Sequence, residues 1–202
     1  MNRKEIKNEA KMLIKNNLWN LLKPYFIYFV ITVCFSILLE ILGMSGTWYD
    51  VALNQLFSFL IMPLSVGINF YYLKFIRKQD YTTSDMFSFY DNLPSIFLIG
   101  LVVSIFVFLG YILLIVPGII IYLAYSKIQY LMADGNIKLK ETLNKSRTMM
   151  KGYKSDYFVF TLSFIGWHLL AIITFGIAYI YVLPYIGVAD ALYYEKLRNL
   201  NN

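Results

Sequence analysis

Apolar runs about as long as a bilayer is thick alternate along this chain with short polar segments, and every basic residue but Lys127 falls in the polar segments. The runs are Pro24 to Leu42, Val51 to Leu73, Ile96 to Val116, Pro117 to Leu131, Tyr157 to Phe175 and Ile177 to Tyr194. About 20 mostly apolar residues are needed for a helix to cross the hydrocarbon core, and only the fourth run is short. The 18 Lys and Arg residues fall in four blocks, Arg3 to Lys23, Lys74 to Lys78, Lys127 to Lys154, and Lys196 with Arg198. Basic residues in short loops stay on the cytoplasmic side, so each stretch between blocks must leave and return. The pattern predicts an all-α polytopic membrane helix bundle, six transmembrane helices arranged as three hairpins, with both termini cytoplasmic. Reading residues 96–131 as one broken helix would put Lys127 to Lys154 across the membrane from Lys74 to Lys78, so a tight hairpin at Pro117-Gly118 is expected instead.

The cytoplasmic segments have helical periodicity of their own. In the N-terminal segment Ile6, Ala10, Leu13, Ile14 and Leu18 share one face, with Lys4, Lys11 and Lys15 opposite. Over Ile137 to Tyr153 the residues Leu139, Leu143, Met150 and Tyr153 share a face flanked by Lys138, Lys140, Lys145 and Lys151, with Arg147 at its edge. Asn136 and Gly152 are the expected start and stop signals. Both segments read as cytoplasmic amphipathic helices lying in the membrane interface. A shorter segment, Thr82 to Asn92, would dip Met86, Phe87 and Tyr90 into the headgroup region. Each third of the single membrane domain 1–202 then repeats one plan, an interfacial helix followed by two spans, over residues 3–78, 82–134 and 136–198. The second span of each unit has one proline, Pro63, Pro117 or Pro184, and the next basic residues follow at nearly constant offset, Lys74, Lys127 and Lys196. Pro117 reads as a helix start; Pro63 and Pro184 suit either a helix start or a kink that frees a carbonyl. Trp19, Tyr25, Tyr71, Tyr72, Tyr193 and Tyr194 are expected at the inner boundary, and Trp48 and Tyr49 at the outer one.

Composition agrees. Hydrophobic residues make up 59% and charged residues 15%, against about 25% charged in soluble domains. The formal net charge of +6 would suggest nucleic acid in a soluble chain. Here the cations sit beside membrane spans, so the expected partners are anionic lipid headgroups at the cytoplasmic face, contacted by Lys4, Lys11, Lys15, Lys138, Lys145, Arg147 and Lys151, and nucleic acid is not expected. A membrane protein partner or peptide is a further expectation. Cys34 is the one cysteine, so no disulfide framework and no cysteine-based metal site is expected, and no cofactor. The basic segment before the first run is too long for an ordinary signal peptide, so that run is expected to stay as an uncleaved helix.

Ionisable and amide groups inside spans are costly and are candidates for function. Six such groups in the apolar runs are candidates: Glu40, Asn54, Gln55, Asn69, His168 and Asp190. Glu40, Asn54 and Gln55 lie near helix ends, within reach of interfacial water. Asp190 follows Pro184 by six residues, as Asn69 follows Pro63, so the two could meet in a polar cluster. That cluster would serve either as a hydrogen bond between helices or as a site for an ion, a proton or a headgroup. His168, beside Trp167, suits a hydrogen bond to a neighbour or a proton relay. The sequence lacks H-E-x-x-H, G-x-S-x-G and G-x-x-x-x-G-K-[ST], and no acid and base pair stands in a span. Enzymatic activity is not expected.

Several stretches taken in order resemble the bacterial integral membrane family catalogued as domain of unknown function 975. They are Leu114-Ile115-Val116-Pro117-Gly118-Ile119, Ala133-Asp134, Lys145-Ser146-Arg147 with Met150-Lys151-Gly152, Leu162-Ser163-Phe164-Ile165-Gly166-Trp167, Leu183-Pro184-Tyr185 and Tyr193-Tyr194-Glu195. His168, directly after Gly166-Trp167, departs from that pattern. The resemblance covers nearly the whole chain and implies the bacterial cytoplasmic membrane and a multi-pass architecture. It transfers no activity and no catalytic residues. A more distant similarity links the chain to membrane domains that accompany some bacterial glycerophosphodiester phosphodiesterases. The expected function is a non-enzymatic effect on envelope behaviour, protecting against membrane-active peptides or assisting an export complex. The alternative is a small transporter or lipid flippase.

Overall fold

The uniformly apolar stretches have no polar face on which a soluble helix could turn outward, and in the computed structural model, which describes residues 2–201, they form long helices. The described chain folds into eleven α-helices and no strand: α1 (Arg3–Lys15), α2 (Leu18–Ile41), α3 (Trp48–Leu60), α4 (Met62–Ile76), α5 (Leu93–Leu113), α6 (Ile115–Tyr125), α7 (Ile128–Ala133), α8 (Leu139–Met149), α9 (Lys154–Leu162), α10 (Ile165–Ile173) and α11 (Tyr179–Asn201). Between α4 and α5 lie two 3-10 turns, Thr83–Phe87 and Tyr90–Asn92.

Five helical stretches are long and apolar enough to cross a membrane: Leu18–Ile41, Trp48–Ile76, Thr83–Leu113, Ile115–Ala133 and Lys154–Ile173. The expected sixth, Ile177 to Tyr194, is not among them. Its helix starts at Tyr179 and runs on through Glu195, Lys196 and Arg198. These stretches turn large apolar side chains outward, among them Phe29 and Ile37 on α2, Phe108 and Ile112 on α5, and Ile172 and Ile173 on α10. Such a girdle suits hydrocarbon as its solvent.

The interior is built around α4 and α11. Leu64, Tyr72 and Leu73 of α4 and Tyr185, Val188, Tyr193 and Leu197 of α11 are fully buried. Two glycines permit the closest approaches. A Cβ on Gly67 would fall 1.9 Å from the Met86 carbonyl oxygen, so the Thr83–Phe87 turn lies directly on the backbone of α4. A Cβ on Gly187 would stand 3.0 Å from the Tyr25 hydroxyl and from the Tyr72 ring, both of which lean onto α11.

At Leu114 the backbone goes extended (φ −167°, ψ 155°), and α6 folds back along α5. Phe106 stacks on Tyr125 at 6.0 Å between centroids, and a Cβ on Gly110 would be 3.0 Å from the Gly118 Cα. The reversal therefore stands at Leu114, and Pro117 occupies the first turn of α6, where its missing N–H costs nothing. Pro63 likewise lies at the start of α4, after a break at Ile61. Pro184 sits inside α11, which continues through it.

The amphipathic segments spend their apolar faces on protein. Ile6, Ala10 and Ile14 of α1 are fully buried in a helix that packs mainly on α11, and each isoleucine contributes about 2 kcal/mol by leaving water. Lys196 reaches Glu5 and Glu9 at 3.3 Å, adding an exposed link between the same two helices. Lys7 donates to the Ser163 carbonyl and hydroxyl at 3.3 and 3.0 Å; burial, then the nearby Lys11 charge, push its ammonium pKa below the ordinary lysine value. In α8 the buried positions are Thr142, Ser146 and Met149, with the Ser146 hydroxyl donating to the Ala124 carbonyl at 2.9 Å. Leu139 and Leu143 are only partly covered by the core. The third segment forms 3-10 turns; its Met86 is buried, and Phe87 and Tyr90 stay exposed. Tyr71, Tyr72, Tyr193 and Tyr194 are buried in the core, whereas Trp19, Trp48 and Tyr49 are exposed.

Candidate functional site

The segment from Lys127 to Asp134 places Lys127, Tyr130 and Asp134 along one face at helical spacing, and α11 places Asp190, Tyr194 and Arg198 along another. The two rows match in order. Lys127 Nζ lies 2.5 Å from Asp190 Oδ1, the Tyr130 and Tyr194 rings stack at 5.0 Å, and Asp134 lies 3.5 Å from Arg198. Rising numbers meet rising numbers, so the rows run parallel. The same holds for α4, whose Asn69 and Arg77 meet Gln129 and Asp134 in turn.

Lys127 has no exposed surface. An ammonium ion moved out of water loses several kcal/mol even after relaxation, so its surroundings must offset that loss. Asp190 supplies the opposite charge, and the Tyr157 ring lies beneath the ammonium at 3.8 Å. Tyr130 and Tyr193 present their rings at 5.3 and 5.2 Å. The same Asp190 oxygen accepts the Tyr157 hydroxyl at 2.9 Å. The charge is thus held by one carboxylate and three aromatic faces, an arrangement that joins the α6–α7 segment, α9 and α11.

A second cluster closes the polar end of the same helices. Arg77 donates to both Asp134 oxygens at 2.7 and 3.2 Å and twice to Glu195 at 3.1 and 2.7 Å. The Tyr194 hydroxyl donates to Asp134 at 2.8 Å. Burial alone would raise the Asp134 carboxyl, but hydrogen bonds from Arg77 and Tyr194, with the charges of Arg77 and Arg198, hold it below the usual carboxylate range. Burial works against the Arg77 guanidinium too, and its two carboxylate partners still drive its pKa upward. The third polar contact is neutral: Asn69 donates to Gln129 Oε1 at 2.9 Å, and Gln129 donates to the Ser65 hydroxyl at 3.3 Å.

Asn69 and Asp190 therefore do not pair with each other. They engage two residues of one short segment, Gln129 and Lys127. His168 is exposed, its ring 6.0 Å from that of Tyr179, and Glu40 is exposed near the end of α2. Asn54 bonds Asp50 within its own helix, and Gln55 is exposed. Of the predicted headgroup contacts, Lys4, Lys11, Lys15, Lys138, Lys145, Arg147 and Lys151 are all exposed. Lys11 lies 5.9 Å from the Trp167 and Tyr185 rings, and Lys138 pairs with Glu141 at 3.3 Å. Sequence reasoning treated Lys127 and Arg77 only as topology markers and overlooked Asp134 and Glu195 as partners of Arg77 and Gln129 as the partner of Asn69. The signal was the opposed order of charge around a central tyrosine in the two rows. Among the described residues no group of three or more His, Cys, Asp or Glu side chains could hold a metal ion.

Residues 105–201 match the family described as Protein of unknown function (DUF975). The match takes in α6 to α11 and all the resembling stretches, and stops short of the N-terminal half. No curated protein and no solved structure matches the chain.

Proposed function

Since residues 105–201 match the domain of unknown function 975 family, we propose that the protein is a non-enzymatic, six-span protein of the bacterial cytoplasmic membrane that protects the envelope against cationic membrane-active peptides. In this reading both termini are cytoplasmic and α11 is the sixth span. The parallel run of α4, α6–α7 and α11 supports it, because the second spans of three hairpins must all point the same way. One observation carries the functional part. The ionisable groups inside the bundle are spent on each other, Lys127 on Asp190 and Arg77 on Asp134 and Glu195, while Lys4, Lys15, Lys140 and Lys151 are exposed, at the end that this reading assigns to the cytoplasm. Such a rim attracts anionic headgroups, at about 1 kcal/mol per cation near the surface. It would alter the local lipid composition on which cationic peptides act. The test is survival of cells lacking the gene, against cells re-expressing it, across a panel of such peptides with membrane potential read in parallel. Selective sensitivity to one class supports the reading, and equal survival overturns it.

A second reading, a small transporter or lipid flippase, draws on the Lys127–Asp190 pair between two prolyl helices, a place where a coupled ion could compete for the carboxylate. Purified protein in liposomes that moves neither ions nor labelled lipid would remove it.

A further inference from the structure

Two hollows on the protein share a wall. One is an apolar groove of about 450 Å³ along the α5–α6 hairpin, between Phe106, Leu109 and Leu113 on one helix and Ile120 and Tyr125 on the other. Its floor is low because Gly110 and Ala124 stand where larger side chains would fill it. The other is a polar hollow of about 460 Å³ lined by Asn144, Arg147, Thr148, Lys151 and Lys154. Arg147 and Lys154 line both.

We propose that these joined hollows are a binding site for one anionic glycerophospholipid, its phosphate held by Arg147, Lys151 and Lys154 and an acyl chain laid in the α5–α6 groove. The proposal rests on the membrane placement of that hairpin argued above. Charge complementarity selects the occupant. Three cations converge within eight residues, no carboxylate lines either hollow, and among the described residues none of the three forms an ion pair, although Lys74, Arg77, Lys127 and Lys196 all do. Like charges this close repel, and a phosphodiester offers the missing countercharge with several acceptor oxygens for the Arg147 fork and the Asn144 and Thr148 side chains. The groove faces outward, with Leu109 and Leu113 50% and 73% exposed. From Phe106 to Leu113 it extends about 10 Å along the helix, enough to hold part of an acyl chain. A free phosphate would satisfy the cations and leave the groove empty. A zwitterionic lipid would fill the groove and bring its own cation against Arg147.

The experiment titrates the purified full-length protein in uncharged detergent with short-chain phosphatidylglycerol, short-chain phosphatidylcholine or inorganic phosphate. It reads the unfolding temperature and the lipid retained in native mass spectrometry. Phosphatidylglycerol should raise the unfolding temperature and remain bound at one copy. The double variant R147Q/K154Q should bind it about tenfold more weakly with unchanged lipid-free unfolding temperature. I120W, which fills the groove without touching charge, should weaken it comparably, and K23Q/K78Q, at two other exposed cations, should leave it alone. Equal effects of inorganic phosphate, equal binding of phosphatidylcholine, or equal loss in K23Q/K78Q would each overturn the site. Peptide survival is a separate readout. One-copy binding with unchanged survival would sink the protective role and keep the site, and the reverse result would sink the site alone.

Discussion

Lys127 and Asp190 hold each other inside a chamber walled by Tyr157, Tyr130 and Tyr193, the lysine without exposed surface and the carboxylate reached by a tyrosine hydroxyl as well. Removing one partner leaves the other charge stranded, which in buried pairs costs about 3–5 kcal/mol. Lys127→Met and Asp190→Leu should each lower the protein level in membranes and the unfolding temperature in detergent. The double variant should recover most of the loss. Two single losses that simply add in the double variant would show that the pair does not couple.

The Asp134 carboxyl predicts a pH dependence. Its pKa in the folded protein lies below the unfolded value, so its contribution to stability is fully present above the unfolded carboxylate range near about 4 and is lost as pH falls through the lower folded value. Thermal unfolding followed from pH 7 downward should show Asp134→Asn already destabilised at neutral pH. The gap to the parent protein should then narrow in acid. A constant gap at all pH values would mean that the carboxylate is not the titrating partner of Arg77.

Glycine contacts give a graded comparison. Gly67→Ala must push the Met86 carbonyl away from α4, where the added methyl would sit at 1.9 Å, and should destabilise by about 3 kcal/mol, as overpacking at the upper end does. Gly187→Ala meets its neighbours at 3.0 Å, a hydroxyl and a ring that can shift, and should cost about 1 kcal/mol. Unfolding temperatures of the two variants in the same detergent decide the order.

Topology is testable with the single native cysteine, Cys34, replaced by serine. New cysteines at Ser45 and Ile177, both exposed, should react with an impermeant maleimide on intact cells. Cysteines at Asn8 and Lys140 should react only after the membrane is opened. Labelling of Ile177→Cys and Lys140→Cys from the same side would rule out six spans.

How far the chain could be read in advance depended on the range of the forces involved. Apolar length is a local property, so the long helices of residues 18–41 and 93–113 were legible, and the α5–α6 reversal was placed within three residues, at Pro117 instead of Leu114. The extended backbone of Leu114 missed that register because proline starts a helix inside its first turn. Side-chain partners are nonlocal. Asn69 and Asp190 share an offset from their prolines, and that symmetry suggested they would meet. A third helix segment lies between them and supplies Gln129 and Lys127 instead. Periodicity does not say what covers a face: Ile6, Ala10 and Ile14 of α1 are buried against protein, and in α8 the buried positions are Thr142, Ser146 and Met149, with Leu139 and Leu143 only partly covered. For α11, Glu195, Lys196 and Arg198 dilute the apolar signal because its last turns belong to the polar cluster.

Between Leu93 and Ser126 the chain has no Asp, Glu, Lys or Arg, and it reverses at the bare turn of Leu114. Folding α5 against α6 through Gly110 and Gly118 pairs the helices before any loop is needed. In the proposed six-span topology this hairpin can enter the bilayer from the cytoplasmic face as one apolar wedge, transferring no formal charge across the hydrocarbon. The first hairpin has to deliver Asp50 to the far side. Insertion of α5–α6 should thus depend less than that of the first hairpin on the translocation machinery and on the membrane potential.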